Sequence, residues 1–354
     1  MAPLFVQEFP DPAVTVVVPA YNATRFISDT LLSVLMQSFL DFELVVVDDG
    51  STDDLSAVLD SAVLRDGRIR LVAQSNAGLA CARNRGLAEA RGELVAFLDA
   101  DDLWHPDFLK DLVAALRVAP AAPFAYAYSR RIDAQNRVIP TSVWASEPRH
   151  DFSGLIEVNS VGNGSAAVFR TAAVRAQGGF DPSLRARGAQ GAEDWKLCLL
   201  LAAGHPPVLV ARQLVCYRLM HGSMSQANPA RQLHAVRTVV ADIRAAFPKT
   251  ADRHFRNART MMNGWLFSAF MRKRDWRMML SLLASSYLLN PLWFLSRDLR
   301  AVHRQKFASL FADFAGRVPL SELEEHGTRP FGYLQLARNA GTGLVPGDFK
   351  PVSA

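Results

Sequence analysis

Five short apolar runs alternating with helical patterns constrain this chain more than any other feature. "VTVVV" (14–18), "ELVVV" (43–47), "IRLVA" (69–73), "ELVAFL" (93–98) and "FAYAY" (124–128) are rich in β-branched or aromatic residues. Between them, Ile27, Leu31, Val34 and Leu35 share one helical face, as do Leu55, Val58, Leu59 and Ala62. Further helices are predicted over roughly 79–90 and 108–118. A continuous apolar strand needs cover on both faces, and helices alternating with such strands supply it around a parallel sheet. The expected fold class is therefore α/β, with a Rossmann-like, mostly parallel central sheet and flanking helices. From about 140 to 228 the alternation breaks down. There "GSAAVFR" (164–170), a Gly178-Gly179 turn and a helical stretch near 194–203 read as an α+β continuation. From 229 onward the pattern is mainly helical, so the expected divisions are 13–130, 131–228 and a helical C-terminal extension over 229–354.

The polar residues at the strand ends point to a site. The first four runs end in "PAYN" (19–22), "DDGS" (48–51), "QSN" (74–76) and "DADD" (99–102). In an open α/β sheet, ligands bind outside the carboxyl ends of the strands. One polar cluster there is turn chemistry; four in register outline a pocket. The last is the most demanding, because Asp99, Asp101 and Asp102 fall within four positions and like charges so close repel. No Gly-x-Gly-x-x-Gly follows the first strand and no Gly-x4-Gly-Lys-Ser/Thr occurs, which removes the dinucleotide fingerprint and the P-loop. A divalent cation, Mg²⁺ or Mn²⁺, bridging a diphosphate to the carboxylates would account for the clustered acids.

Three stretches carry a family resemblance: "VVVPAYNATRFISDTLLSVLMQSFLDFELVVVDDGSTDD" (16–54), "QSNAGLACARNRGLAEARGELVAFLDADDLWHP" (74–106) and "GAEDWKLCLLLAAG" (191–204). In order and spacing they resemble the family 2 glycosyltransferases, inverting enzymes of the GT-A fold that use nucleotide-sugar donors. The resemblance covers roughly residues 13–222. It implies that Pro19, Tyr21 and Asn22 line the nucleoside pocket and that Asp49 hydrogen-bonds the base. It places Asn76 and Arg83 near base and diphosphate, Asp99 at ribose or metal-bound water, and Asp101 on the metal. Asp194 of the Glu193-Asp194 pair would be the general base. His221 in "YRLMH" resembles a Tyr-Arg-x-His element that helps hold metal or diphosphate, with one extra residue after Arg218. Glu193 and Asp102 are secondary candidates. The residues also allow plainer roles. Asp194 is placed to favour a helix dipole, Asp48 to cap its turn, Asp102 to act as a turn residue, and Trp104 and Trp195 to pack.

The implied activity is a metal-dependent inverting transfer from a nucleoside-diphosphate sugar, UDP before GDP or dTDP, to a saccharide or lipid-linked hydroxyl. Polysaccharide or glycoconjugate synthesis is the expected setting. A nucleotidyltransferase, or a degenerate sugar- or nucleotide-binding relative, is the alternative. The net charge of +5 suits an anionic ligand or a membrane surface and is too small to argue for nucleic acid. Three widely spaced cysteines form neither a disulfide framework nor a zinc-site spacing, and the N-terminus lacks a signal-peptide pattern; the expected location is cytoplasmic. The apolar segment 278–296 is interrupted by Pro291 and flanked by arginines, so packed helices are expected before an interfacial element or a span. Trp276, Leu280, Leu283, Tyr287 and Leu288 form one stripe, expected to pack on the catalytic domain. Its alternative is peripheral contact with an anionic membrane at the inner face of the cell membrane.

Overall fold

The structure, a computed structural model, describes residues 11–59, 66–139, 149–220, 228–272, 274–291, 318–319, 330–331 and 334. The first four apolar runs form β1 (Val14–Ala20), β2 (Phe42–Asp48), β3 (Ile69–Ala73) and β4 (Leu94–Phe97), with α1 (Ile27–Leu35), α2 (Leu55–Leu59) and α3 (Leu79–Glu89) between them. They pair in parallel in the spatial order β4-β1-β2-β3. Val16, Val17, Val18, Leu44, Val45 and Val46 are wholly buried, which is why these runs are continuous rather than alternating. Helix α3 presses so close to β1 that a Cβ at Gly86 would lie 2.1 Å from Val17 Cγ1. That approach explains a glycine inside a helix, where its backbone freedom otherwise costs stability. Pro19 sits within β1 without breaking the sheet. Val17 accepts from Leu98 N on the β4 side, and Pro19, two residues on, faces the same way beyond the last β1–β4 pair, Val17 with Phe97.

The second half adds β5 (Leu103–Trp104), α4 (Phe108–Val118), β6 (Phe124–Ile132), β7 (Arg137–Ile139), α5 (Phe152–Glu157), β8 (Ala167–Arg170), α6 (Thr171–Ala176), α7 (Ser183–Ala186), α8 (Glu193–Ala202) and β9 (Val208–Arg218). Together with β10 (Val318–Pro319) they extend the sheet to the order β10-β7-β6-β8-β4-β1-β2-β3, with β9 pairing β5 and β6. The fifth apolar run is thus β6, but it does not lie beside β4. Strand β8 is inserted between them, antiparallel to both, so β6 keeps the direction of β1–β4 at one remove. The division expected at 130/131 falls inside β6, which runs unbroken from Phe124 to Ile132.

Among the described residues three helices follow: α9 (Pro229–Ala246), α10 (Asp252–Arg272) and α11 (Trp276–Leu289). Asn228 caps α9 by accepting from Ala230 N and Arg231 N at 3.1 Å, with Pro229 at the first helical position. Val236, Val239, Val240 and Ile243 join α9 to the main core, while Leu233, Leu266, Phe270, Met279 and Leu282 form a smaller core of their own. Helix α11 buries Met279, Leu282 and Ser286 and leaves Trp276, Leu280, Leu283, Tyr287 and Leu288 exposed. The stripe expected to pack on the catalytic domain therefore faces outward, because the helix turns its other face to its neighbours. Among the described residues no helix is long and apolar enough to cross a membrane, and residues 292–296 of the segment singled out above lie outside them.

Candidate active site

At the carboxyl ends of β1, β2 and β3, polar side chains tie three loops into one piece. Asn22 adopts a left-handed backbone with φ of 51°. Its Oδ1 accepts from Thr52 N at 2.8 Å and Asp53 N at 3.3 Å, and its own N–H donates to Ser51 Oγ at 3.1 Å. Asp48 caps its turn as expected, accepting from Ser51 N at 2.8 Å. Asp49 is buried and more heavily engaged. Its Oδ1 accepts from Gln74 Nε2 at 2.7 Å and Ala77 N at 2.8 Å, and its Oδ2 from Gly78 N at 2.8 Å. Asn76 donates to the Asp49 carbonyl at 3.0 Å and accepts from Arg185 Nη2 at 3.1 Å. With three contacts already accepted, Asp49 keeps little acceptor capacity for a base. Tyr21 stands 51% exposed at the rim, free to meet a flat ring. Pro19 is buried near the carboxyl end of β1, next to the Ala20 that precedes the Tyr21 rim.

The end of β4 is arranged differently. Asp99, Asp101 and Asp102 meet Arg83 from α3, Glu193 and Asp194 from the first turn of α8, and Arg218 from the last position of β9. Arg83 is 2% exposed and donates through Nη2 to Asp99 Oδ1 at 2.6 Å, with Nη1 3.8 Å from Glu193 Oε1. Burial works against the Arg83 charge, but the carboxylates of Asp99, Glu193 and Asp194 outweigh it and hold the guanidinium above its ordinary pKa. A Cβ at Gly164 would come within 2.5 Å of Arg83 Nη2, so this cradle admits only glycine without a shift. The Arg83 guanidinium is enclosed among carboxylates, with its charge paired to theirs.

The expectation of Asp102 as a secondary site candidate is corrected. It is fully buried, with Oδ2 accepting from Ser165 Oγ at 2.6 Å and Oδ1 from Arg218 N at 2.9 Å. Burial first, then the charges of Asp101 and Asp99, raise its pKa well above the ordinary carboxylate value. It is a joint between β4 and β9, not an open ligand. Arg218, noted in the sequence only as a marker before His221, is the second cation of the cluster. Its Nε donates to the Asp101 carbonyl at 2.6 Å and its Nη1 to the Asp133 carbonyl at 2.9 Å. Sequence reading passed over Arg218 and Ser165 because both meet the triplet only through long-range folding. The one available signal was that Arg218 belongs to the Tyr-Arg element.

Asp101 and Asp194 are the strained carboxyls. Burial and then the Asp99 charge push Asp101 up to about 6, while Arg218 pulls the other way. Burial likewise pushes Asp194 up to about 6; Arg83 opposes it, and Glu193 and Asp99 add to it. A carboxylate that merely favoured a helix N-terminus would titrate low, since the dipole stabilises its charge. For Asp194 burial outweighs any such effect, and its pKa is raised to about 6. It accepts from its neighbour Trp195 N at 2.7 Å, and Glu193 turns aside to accept from Gly191 N at 2.7 Å. Trp104 and Trp195 pack, as the sequence favoured: their indole N–H groups donate to the carbonyls of Ser165 at 2.8 Å and Leu155 at 2.9 Å.

Among the described residues no group of three or more His, Cys, Asp or Glu side chains is gathered for a metal. The donor set nevertheless fits Mg²⁺ or Mn²⁺, which take one or two carboxylates and complete their shell with phosphate oxygens and water. Asp101, repelled by Asp99 and only partly enclosed, is the carboxylate that a cation would relieve. His221 lies outside the described residues.

The carboxyl edge of the sheet thus carries a loop-bound carboxylate, a buried acidic cluster and a raised carboxyl at a facing helix. Residues 15–175 match the family model described as Glycosyl transferase family 2. Residues 15–175 thus form a domain of the family 2 glycosyltransferase type. A Bacillus subtilis relative named for teichuronic acid biosynthesis, the glycosyltransferase TuaG, is 46% identical over 100 residues, 28% of this chain and 40% of that protein. Chondroitin synthase of Escherichia coli is 27% identical over 213 residues, 60% of this chain and 29% of that protein. This chain spans between 15% and 40% of the length of the curated relatives it matches. The fold is shared with S. aureus TarS 1-349 in complex with UDP-GlcNAc, at 20% identity and a TM-score of 0.53, covering 84% of this chain and 91% of that one. It is shared too with the mannosyltransferase PcManGT from Pyrobaculum calidifontis in complex with GDP-Man and Mn²⁺, at 22% identity and a TM-score of 0.50, covering 86% of each.

Proposed function

We propose that this protein transfers a sugar from a nucleoside-diphosphate sugar to a hydroxyl acceptor with inversion, assisted by a divalent cation, with Asp194 as general base. The observation that carries the reading is the Asp194 carboxyl, raised by burial to about 6 within the charges of Arg83, Glu193 and Asp99. Asp194 accepts the acceptor's proton as its oxygen forms the new bond to the anomeric carbon. The bond from that carbon to the diphosphate oxygen breaks on the opposite face, which inverts the configuration. Arg83 holds Asp99 and Glu193 in place, so that the base and the ligand carboxylate keep their separation. Asp101 carries the cation, with Asp99 beside it and His221 as a further candidate ligand. When bound, the cation supplies Lewis-acid neutralisation of the charge developing on the leaving diphosphate. Tyr21, Asn22 and Asn76 form the nucleoside rim, over a floor built by Asp49.

UDP is the proposed nucleotide, supported by the UDP-GlcNAc complex of one fold neighbour, and Mn²⁺ use is supported by the other. Polysaccharide synthesis is supported by the names of the relatives, and a saccharide or lipid-linked acceptor at a cytoplasmic location is proposed with it. The test combines calorimetric titration with UDP, GDP and dTDP, with and without Mn²⁺, and a nucleoside-diphosphate release assay over a panel of sugar nucleotides. Binding of one diphosphate that needs the metal, with turnover lost in Asp194→Asn, is the expected result. Ordinary turnover in that variant removes the base, and release of pyrophosphate instead makes the protein a nucleotidyltransferase.

A further inference from the structure

We propose that helix α11 is a docking element that seats this protein on an anionic lipid bilayer. Five of the nine exposed large apolar side chains among the described residues lie on this one helix: Trp276 61%, Leu280 66%, Leu283 40%, Tyr287 58% and Leu288 81% exposed. Single exposed apolar residues are ordinary, but a contiguous patch marks a surface that something covers. Trp276, Leu280, Leu283 and Tyr287 are spaced i, i+4, i+7 and i+11, so they fall within about 60° of one another on the helix. The stripe is about 16 Å long, and it ends in a tryptophan at one side and a tyrosine at the other. Those two side chains carry an apolar ring and a polar tip, the chemistry that settles at a membrane–water boundary.

Charge decides between the possible occupants. Residues 229–289 hold eleven Lys and Arg against three Asp and no Glu, a net +8 within a chain whose total is +5, so everything else together is net −3. Arg274 and Arg277, both exposed, flank Trp276 at the start of α11. A second copy docked through the same helices would set two such basic regions side by side, whereas an anionic leaflet offers the complementary charge. At fourteen residues α11 is too short to span a bilayer, which takes about 20. It lies along the interface instead, with Met279, Leu282 and Ser286 still turned into the protein.

The experiment is co-sedimentation of the full chain with phosphatidylcholine vesicles, with and without phosphatidylglycerol, at low and high salt. The wild-type chain is expected to bind the phosphatidylglycerol vesicles at low salt and to be released by high salt. Leu280→Asp with Tyr287→Asp is expected to weaken partition at least about tenfold, since each buried apolar side chain lost removes most of its transfer free energy. Arg274→Gln and Arg277→Gln should each weaken it about fivefold. All four positions are exposed, so thermal unfolding should be unchanged, and transfer to a soluble acceptor should be unchanged too. Absence of binding by the wild type, or equal binding by the double aspartate variant, overturns the proposal. So does a concentration-dependent dimer in sedimentation velocity that the double variant abolishes, because the face then belongs to a second copy.

Discussion

Two groups of acidic and amide side chains sit along the same sheet edge, and they are treated in opposite ways. Around the ends of β1 to β3, Asp48, Asp49, Asn22 and Asn76 give most of their polar atoms to one another's loops. Around the end of β4, Asp101 and Asp194 are pressed together with Asp99 and Glu193 and pushed up to about 6. Satisfied carboxylates make walls: their hydrogen bonds are worth most when nothing competes for them. Under-satisfied ones hold free energy that a proton, a cation or a substrate can release. On the proposed function, the first group shapes the pocket and the second reacts in it.

The comparison is most exposed to failure at Asp194. Asp194→Asn should lower transfer by about 10³-fold, within the range for a lost general base, while the donor dissociation constant moves only a few-fold. Steady-state kinetics beside calorimetry would show the split. For the wild type, kcat/KM should rise with pH through about 6 and then level off, as the base loses its proton. The same shift makes a stability prediction of opposite sign. The folded-state pKa of Asp194 lies above its unfolded value, so the native state binds more protons between pH 3.8 and about 6 and stability falls as pH rises through that window. Asp194→Asn should accordingly raise the thermal midpoint at pH 8 and lose that advantage by pH 4. A midpoint that drops at pH 8 would mean that Asp194 is a wall residue after all.

Next in size is Arg83→Met. Removing one member of a buried ion pair costs about 3–5 kcal/mol, because Asp99 and Glu193 keep their charges without compensation. Urea unfolding would read this loss, and the pH profile of residual activity should shift upward as Asp194 loses the cation that opposed its rise. Asp49→Ala should cost about 2 kcal/mol, as the N–H groups of Ala77 and Gly78 and the Gln74 amide lose a charged acceptor. It should raise KM for the donor more than it lowers kcat. The smallest effect is expected at Asp48→Ala, about 1 kcal/mol for one turn-capping bond with turnover nearly unchanged. Similar losses of kcat at Asp49 and Asp194 would erase the distinction between wall and working carboxylate.

Much of this was legible along the chain because the signals are local. Continuous β-branched runs, helical periodicity and Asp-rich strand ends depend on neighbours a few residues apart, and β1, β2, β3, α3 and α4 fall where those patterns predict. The same holds for the Asp48 turn and for the Glu193-Asp194 pair at the start of α8. Only tertiary structure decided which partner each charge meets. Asp102 is closed off by Ser165 and Arg218, 63 and 116 residues away, and Arg83 meets Asp99 from 16 residues away. Strand β8 entered between β4 and β6 because the pairing of strand edges is a long-range choice that a run such as "FAYAY" does not encode. The stripe on α11 reads identically in sequence whether it packs or faces outward, and the fold turned it outward by burying the adjacent face. Residue types and spacing determined that this chain builds an acidic sheet edge; burial and distant cations determined which of those acids remain free to react.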